Sequence, residues 1–306
     1  MKIFINKIFY TIKPIIPRRL QILLRRRLVK YQLAKYTNIW PINSEANSKP
    51  KNWVGWPHGK RFSLVLTHDV DTEKGHKNCI QLLKLEKELG FCSSVNFVPL
   101  RYKLSSDLMN YLKTNGFEIG VHGLKHDGKL YHSKNIFQKR AKSINQFLKK
   151  WGAVGFRSPA MHHNLDWIFD LNIKYDASTF DTDPFEPQAA GVQTIFPFYI
   201  SNAANGSGYV ELPYTLPQDF TLFILMKQKN IDIWKKKLDW IVEHGGMALL
   251  NTHPDYMNIS GEKKGFEEYP IQLYFQFLEY VKSTYEGNYW HALPMQVANY
   301  FYDNCI

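Results

Sequence analysis

Strand and helix patterns alternate along the chain from about residue 60 to residue 253, and this alternation limits the fold more than any other feature. Seven segments have the apolar, β-branched character of buried strands: FSLVLT (62–67), SSVNFVPL (93–100), FEIGVHG (117–123), AVGFR (153–157), IKYDAS (173–178), GYVELP (208–213) and MALLNTH (247–253). Helical apolar spacing separates most of them. Repeated strand-helix units of this kind predict a parallel sheet, either open or closed into a barrel.

The composition favours one large domain with appendages. A chain of 306 residues with 44% apolar residues can bury one large core, and this content excludes a disordered chain. The three cysteines are scattered and odd in number, which fits a reducing compartment without a disulfide framework. We therefore expect a cytoplasmic protein whose α/β body spans residues 51–306 and includes helices near its carboxyl end.

The first 50 residues are expected to form a basic, amphipathic arm. No acidic residue precedes Glu45, and ten lysines and arginines in this stretch supply most of the net charge of +12. Helical spacing in the segment 17–36 groups four apolar side chains on one side: Leu20, Leu24, Leu28 and Tyr31. Such a helix is predicted to lie on an anionic membrane surface. The alternative is a helix packed along the body with a solvated basic face.

The arm does not have the properties of a membrane span. Lys7 and Lys13 interrupt its apolar residues, so it lacks the ~20 continuous apolar residues that a span needs. No small-residue cleavage site follows, so a secretory signal is not predicted. Nucleic acid is not an expected partner, because the rest of the chain is nearly neutral. We expect peripheral attachment at the inner face of the cytoplasmic membrane.

Charged and imidazole side chains stand at the carboxyl ends of several predicted strands, where the active sites of α/β proteins collect. They are Asp69, Asp71, His122, His126, Arg157 and His253. Taken singly, each has a common structural explanation: a strand-end aspartate usually caps a turn, and two histidines four residues apart usually lie on a solvated helix face. Their occurrence at successive strand ends favours one site with a metal, a base and an acid.

This order of residues resembles the NodB-homology polysaccharide deacetylases, also called carbohydrate esterase family 4, over about residues 60–256. The chain is similar to members associated with bacterial surface-glycan assembly. The resemblance implies a distorted (β/α) barrel with fewer strands than the regular eight, one divalent metal ion, and hydrolysis of an N-acetyl or similar amide on a sugar. Zinc is the expected metal, with iron, cobalt, nickel or manganese as alternatives.

The family pattern also implies a role for each strand-end residue. The metal ligands would be three residues that leave coordination positions open: Asp71, His122 and His126. Asp69 would be the general base that deprotonates the attacking water. Arg157 would hold Asp69 ionised through a charge-assisted hydrogen bond. His253 would be the general acid that protonates the departing amine.

The chain departs from the usual motifs of this family at several places. In THDVD a valine separates two aspartates that the family commonly has side by side, although strand alternation still puts both on one side. Three further changes replace a serine or threonine, an aromatic residue and a leucine: Gly123, Met161 and Asn251. These changes leave the metal ligands intact and alter the shape expected of the substrate pocket.

The segment TFDTDPFEPQAAGVQTIFPF (179–198) is predicted to form one wall of a sugar cleft. Aromatic faces stack on pyranose rings, and carboxylates accept hydrogen bonds from hydroxyl groups. A long connection packed by its own aromatic side chains is the alternative. The predicted substrate contacts are Pro159, His162, His163, Asp176, Asp181, Asp183 and Glu186. Asp176 is also a candidate for orienting His253 or for capping its own strand.

The sequence therefore predicts a metal-dependent N-deacylase that acts on an amino-sugar glycan, which could be lipid-linked, in bacterial surface-polysaccharide or lipopolysaccharide biosynthesis. A deformylase for a lipid-linked formamido sugar would need the same residues and a smaller acyl pocket. A barrel that only binds glycan or scaffolds a synthase complex is a third hypothesis. Against it, a binding module has no use for a base, an acid and an open metal position.

Overall fold

The computed structural model describes residues 16–203, 206–259, 261 and 265–306. Seven α-helices occur in these residues: α1 Arg18–Lys35, α2 Glu73–Glu88, α3 Ser106–Thr114, α4 Lys134–Trp151, α5 Asp232–His244, α6 Gln272–Tyr285 and α7 Pro294–Cys305. The same residues contain eleven strands: β1 Phe62–Val70, β2 Ser94–Phe97, β3 Glu118–His122, β4 Gly155–Arg157, β5 Tyr175–Asp176, β6 Phe198–Ser201, β7 Gly208–Glu211, β8 Met247–Thr252, β9 Met257–Asn258, β10 Tyr269–Pro270 and β11 Tyr289–His291. A short π-helix spans Phe220–Leu225.

Seven strands curl into one parallel sheet in the order β8, β1, β2, β3, β4, β5 and β7. Leu216, which follows β7, pairs with Leu250 of β8 in one isolated parallel bridge. The sheet therefore closes on itself through a short, irregular seam, which confirms the predicted distorted (β/α) barrel. β6 adds to β7 in the antiparallel direction, and β11 lies parallel beside the first three residues of β1.

β1 lies between β8 and β2 in this sheet, and all nine of its residues are buried. Leu64 belongs to an apolar cluster that includes Trp234 of α5, whereas Val65 belongs to a second cluster that includes Leu249 of β8. Successive side chains of a strand point to opposite faces, so both faces of β1 are covered by apolar layers. This two-sided burial explains why FSLVLT is nearly continuous in its apolar character.

Side-chain caps define where the helices between the strands begin. The hydroxyl groups of Thr72, Ser105 and Ser133 accept hydrogen bonds from backbone N–H groups in the first turns of α2, α3 and α4. These caps satisfy donors that a helix leaves unpaired at its amino end. α2 begins three residues after β1, whereas α3 and α4 begin nine and twelve residues after β2 and β3, so the strand ends are left free to carry functional groups.

The predicted helix of the basic arm is present as α1, and one face of it packs against the body. Ile22 and Val29 are 0% and 3% exposed, and Arg18 Nη2 pairs with Glu267 at 2.8 Å. Beyond α1, Trp40 is buried as well. The predictions that concern Lys7 and Lys13 lie outside the described residues. Among the helices that the structure describes, none combines the length and the apolarity needed to cross a bilayer.

Candidate metal centre and catalytic site

The chemical groups of β1 lie at its carboxyl end. The strand continues to Val70, so Asp69 is part of it and Asp71 follows directly. The backbone N–H of Asp71 donates to Asp255 Oδ2 at 2.9 Å, and Thr72 Oγ1 donates to the other carboxylate oxygen of Asp255. Asp255 was not predicted as a site residue from the sequence. It fixes the turn that presents Asp71.

Asp71, His122 and His126 come together at the ends of β1 and β3. Asp71 Oδ1 lies 3.4 Å from His122 Nε2 and 3.0 Å from His126 Nε2, and ligand atoms of all three lie within 4.8 Å of one another. His122 Nδ1 lies 3.1 Å from the carbonyl oxygen of Arg157, and a hydrogen bond there leaves Nε2 free for a metal. Asp71 Oδ1 is buried without a hydrogen-bond partner among the described residues. A divalent cation would satisfy this oxygen, so the donor set fits one.

His122 ends β3 and His126 lies in the turn that follows, so the two histidines are not on a helix. β3 ends at His122, and both Gly123 (φ 63°) and His126 (φ 51°) have left-handed backbone conformations. A Cβ atom on Gly123 would lie 2.6 Å from two ring carbons of Pro159. The backbone conformation and this close approach both require glycine, which explains why serine or threonine is absent from this position.

Asp69 is held by three side chains that donate hydrogen bonds to it. Asn96 Nδ2 lies 2.8 Å from its Oδ1, Asn251 Nδ2 lies 2.8 Å from its Oδ2, and Arg157 Nη1 lies 3.4 Å from Oδ1. Burial on its own would raise the pKa of Asp69, but the positive charges of His122 and Arg157 hold that pKa below its usual value. Asp69 is therefore ionised, as a general base must be before reaction.

Arg157 is fully buried and also orients Asn251. Its Nη1 donates to Asn251 Oδ1 and to Thr67 Oγ1, both at 2.7 Å, and its Nε donates to the carbonyl oxygen of Ala177 at 2.8 Å. Because the guanidinium group engages the oxygen of Asn251, the amide nitrogen is directed at Asp69. The asparagine that replaces the usual leucine thus helps to hold Asp69, the candidate base, in position. The sequence signal was a polar residue inside an otherwise apolar strand.

His253 forms a dyad with Asp219, a residue that the sequence analysis did not select. Asp219 Oδ1 lies 2.7 Å from His253 Nδ1, and Asp219 Oδ2 accepts the backbone N–H of His253 at 2.8 Å and the hydroxyl of Tyr269 at 3.0 Å. Burial alone would lower the pKa of His253, but the charge and hydrogen bond of Asp219, aided by Asp71 and Asp69, raise it to about 10. His253 is therefore protonated, with Nε2 left to donate a proton.

Solved structures with a similar fold include polysaccharide deacetylases and an allantoinase. A structure described as a polysaccharide deacetylase from Mycobacterium smegmatis covers 83% of this chain and 95% of its own, with a TM-score of 0.64 and 18% identity. The PuuE allantoinase (TM-score 0.63, 16% identity, 81% of this chain and 92% of its own) is similar to the same degree. So is a polysaccharide deacetylase from Pseudomonas aeruginosa PAO1 (TM-score 0.62, 16% identity, 81% and 93%).

The chain has the NodB-type fold. No protein-family model and no curated protein sequence matches it, and structures at 16–18% identity show the fold alone. The fold confirms the resemblance drawn from the strand-end residues. It places the candidate metal ligands, base and acid at the carboxyl ends of the barrel strands.

In this NodB-type barrel, Asp219 and not Asp176 orients His253. Asp176 stands in register with Glu211 across β5 and β7, and Ser178 Oγ donates to its Oδ1 at 2.6 Å. Burial raises the pKa of both carboxyl groups, and it raises the pKa of Glu211 well above its usual value. Burial therefore favours the protonated form of both carboxyl groups in the barrel interior.

A cleft of about 650 Å³ opens beside His126. Aromatic side chains on its walls come from three parts of the chain: Tyr36, Tyr131 and Trp167. The rings of Tyr131 and Trp167 are stacked, with centroids 6.0 Å apart. Flat aromatic faces beside polar histidines suit a sugar ring, which has apolar faces and hydroxyl edges.

Three of the predicted substrate residues line this cleft: Pro159, His162 and His163. Asp181 and Asp183 are 1% exposed and lie inside the protein, where Asp181 pairs with Lys237 at 2.5 Å and Asp183 accepts the hydroxyl of Tyr214 at 2.8 Å. Glu186 is half-buried, and burial together with the charge of Asp183 raises its pKa to about 8. A contact between substrate and Glu186 stays a prediction.

The connection 179–198 shows features of both proposed arrangements. Phe180, Phe185 and Phe196 are buried, as expected of a loop packed by its own aromatic side chains. Pro184 and the residues 187–190 line the cleft, as expected of a wall. The aromatic residues of this connection therefore hold the wall in place from inside, and its proline-rich stretch faces the cleft.

Proposed function

We propose that the protein is a metal-dependent hydrolase that removes an N-acyl group, with N-acetyl preferred, from an amino sugar in bacterial surface-polysaccharide or lipopolysaccharide biosynthesis. The observation that carries this proposal is the meeting of an ionised Asp69, a protonated His253 and an Asp-His-His donor set at one end of the barrel. The deacetylases that share the fold support it. We also propose that the enzyme works at the inner face of the cytoplasmic membrane, as a peripheral protein.

One divalent metal ion would be held by three side chains: Asp71, His122 and His126. Two imidazoles and one carboxylate favour zinc among the alternatives. When bound, such an ion supplies Lewis acidity, which polarises a carbonyl group and acidifies water. Asp255 keeps Asp71 in position through the backbone of the turn.

Asp69 accepts a proton from the attacking water while Asn96 and Asn251 hold its carboxylate in one orientation. As the bond between the acyl carbon and the sugar nitrogen breaks, His253 donates its Nε2 proton to that nitrogen. Asp219 stabilises the cationic form of His253 before this transfer. The products are the free carboxylic acid and the amino sugar.

The acid and the base coexist in their working forms over a wide range of neutral pH. The pKa of Asp69 lies below its usual value, and the pKa of His253 is raised to about 10. Proton transfer by positioned groups of this kind contributes about 10²- to 10⁴-fold to a rate. A barrel that only binds glycan gains nothing from such a separation of pKa values.

The proposal is tested by metal analysis of the purified protein combined with acetate and formate release from nucleotide-linked, lipid-linked and polymeric amino sugars. We expect about one divalent ion per chain and acetate release from at least one donor. Release of formate alone would assign the deformylase activity. A metal-loaded protein that releases neither acid from any donor, like an Asp69→Asn control, would contradict the deacylase proposal.

A further inference from the structure

The outward face of α1 carries a stripe of exposed apolar side chains. Its members are Leu20, Leu23, Leu24, Leu28 and Tyr31, each 46% to 73% exposed. These five make up half of the ten large apolar side chains that are exposed in the described residues. Single exposed leucines are ordinary, but a continuous group on one helix marks a contact surface.

The opposite face of α1 is already fixed to the barrel. Arg26 Nε donates to the carbonyl oxygen of Ile224 at 2.8 Å, and Gln32 Nε2 donates to the carbonyl oxygen of Pro184 at 3.0 Å. Ile22 and Val29 are buried on that side. The helix cannot bury the leucine stripe against its own barrel without giving up these contacts, so the described residues leave the stripe open to an external partner.

Exposed cations lie on the same side of α1 as the leucine stripe. Arg27, Lys30 and Lys35 are exposed, and none of them forms an ion pair within the part of the chain that the structure describes. In the sequence, the preceding residues 1–15 add further lysines and no acid. Leucines that enter the interface and cations that meet phosphate headgroups are complementary to an anionic bilayer. This charge distribution favours a lipid surface over an apolar protein groove.

α1 also stands next to the cleft. Directly after its last turn, Tyr36 and Ile39 line the same cleft as His126. Arg25 lies 5.0 Å from the ring centroid of Phe220, which follows Asp219 in the chain. The helix that carries the leucine stripe is thus joined to both the substrate cleft and the segment that orients the candidate acid.

We propose that the leucine stripe of α1 docks the protein on an anionic membrane surface and thereby presents the cleft to amino sugars that are linked to a lipid. The substrate class rests on the proposed deacylase function, whereas the docking does not. An amino sugar on a lipid carrier is confined to the plane of the membrane. A cleft held at that plane meets it without extracting the lipid from the bilayer.

Point substitutions in the full-length protein test the docking. Removal of the arm is unsuitable because Trp40 and Ala46 belong to the buried core. The test variant is Leu20→Ser/Leu24→Ser/Leu28→Ser, and the matched control is Val54→Ser/Tyr302→Ser, which changes apolar side chains of similar exposure elsewhere on the surface. Binding to phosphatidylcholine vesicles with and without phosphatidylglycerol is measured by co-sedimentation, together with thermal unfolding and metal content.

We expect the wild type and the control to bind the phosphatidylglycerol vesicles and to be released by salt. The leucine variant should bind at least about tenfold more weakly while its unfolding and metal content stay unchanged. Arg27→Glu/Lys30→Glu should lose the preference for phosphatidylglycerol. The leucine variant should keep its kcat/KM on a soluble amino-sugar donor and lose activity on a lipid-linked donor in vesicles.

Equal vesicle binding by the wild type and the leucine variant would overturn the docking. So would a wild-type dimer that the leucine substitutions convert to a monomer, because the stripe would then belong to an interface between two copies. Vesicle binding that depends on the leucines in a protein without activity on any donor would leave the docking in place and remove the proposed function. Equal loss of activity on soluble and lipid-linked donors would contradict the lipid-linked substrate class.

Discussion

Asp219 Oδ1 lies 2.7 Å from His253 Nδ1, although the two residues are 34 positions apart in the chain. Asp219 precedes the π-helical segment Phe220–Leu225, and its Oδ1 also accepts the backbone N–H of Phe220 at 2.8 Å. The hydrogen bond within its own segment therefore holds the carboxylate in the orientation in which it contacts the imidazole. This link sets the charge of the candidate acid.

Replacing Asp219 by Asn should move the alkaline limb of kcat/KM to lower pH. His253 works as an acid below its pKa, and the charge and hydrogen bond of Asp219 are the largest causes that raise that pKa to about 10. Loss of the carboxylate charge therefore deprotonates His253 at a lower pH, by about one unit or more. A full pH profile of kcat/KM for the wild type and Asp219→Asn measures the shift.

Tyr269→Phe is the matched control for this profile. It removes the 3.0 Å hydrogen bond to Asp219 Oδ2 and leaves the charge of Asp219 in place, so its limb should move much less. His253→Ala should lose the alkaline limb together with most of the activity. An alkaline limb that is the same in Asp219→Asn and in the wild type would remove the dyad from the mechanism.

The two aspartates of THDVD should respond differently to the same substitution. Asp71→Asn should lose the metal, because an amide is a weaker ligand than a carboxylate at the centre of the donor set. Asp69→Asn should keep the metal and lose about 10²- to 10⁴-fold in kcat, the usual range for a general base. Metal content and kcat are measured on both variants, and each serves as the control for the other. An emptied site in Asp69→Asn beside a fully active Asp71→Asn would reverse the assignment.

The strand and helix pattern was sufficient to predict a parallel sheet and the residues at the carboxyl ends of its strands, and the family resemblance narrowed that sheet to a barrel. All seven predicted strands occur, because an apolar run buried on both faces is a local signal. Asp69 and Asp71 were found in the same way, since charge is unusual at the end of such a run. The positions of the strand ends then follow from the parallel topology.

What the sequence could not give depends on contacts between distant segments. Asp219 lies in an irregular stretch, so no strand-end rule selects it, and the sequence offered Asp176 instead, either as a partner for His253 or as a cap of its own strand. Asn251 was seen only as a departure from a family motif, because its hydrogen bonds to Asp69 and Arg157 appear only when β1, β4 and β8 are side by side. Helical spacing grouped the leucines of α1, but it could not tell which face packs on the barrel.

The buried ion pair of Asp181 and Lys237 separates a structural role from a substrate role. Burial raises the pKa of Asp181 to about 6 even with Lys237 at 2.5 Å. Lys237→Met should lower the free energy of unfolding by about 3–5 kcal/mol, because it leaves one partner of a buried pair without compensation. Lys237→Met/Asp181→Leu should recover much of this loss. Urea unfolding of both variants measures the free energy of unfolding. A double variant that recovers its stability and still loses its activity would instead favour a substrate role for Asp181.

The aromatic wall that the arm contributes should affect binding more than chemistry. Tyr36 is half-buried at the end of α1 and lines the cleft, so Tyr36→Ala removes one ring from the surface on which a sugar would stack. A loss of stacking of about 0.5–1.5 kcal/mol corresponds to a KM raised about two- to tenfold with kcat nearly unchanged. Tyr31→Ala is the matched control, because Tyr31 lies on the exposed stripe of the same helix, away from the cleft walls. Steady-state kinetics on a soluble donor compare the two variants: the same KM in both would remove the arm from the substrate site, whereas a raised KM in Tyr36→Ala alone would make the arm a part of it.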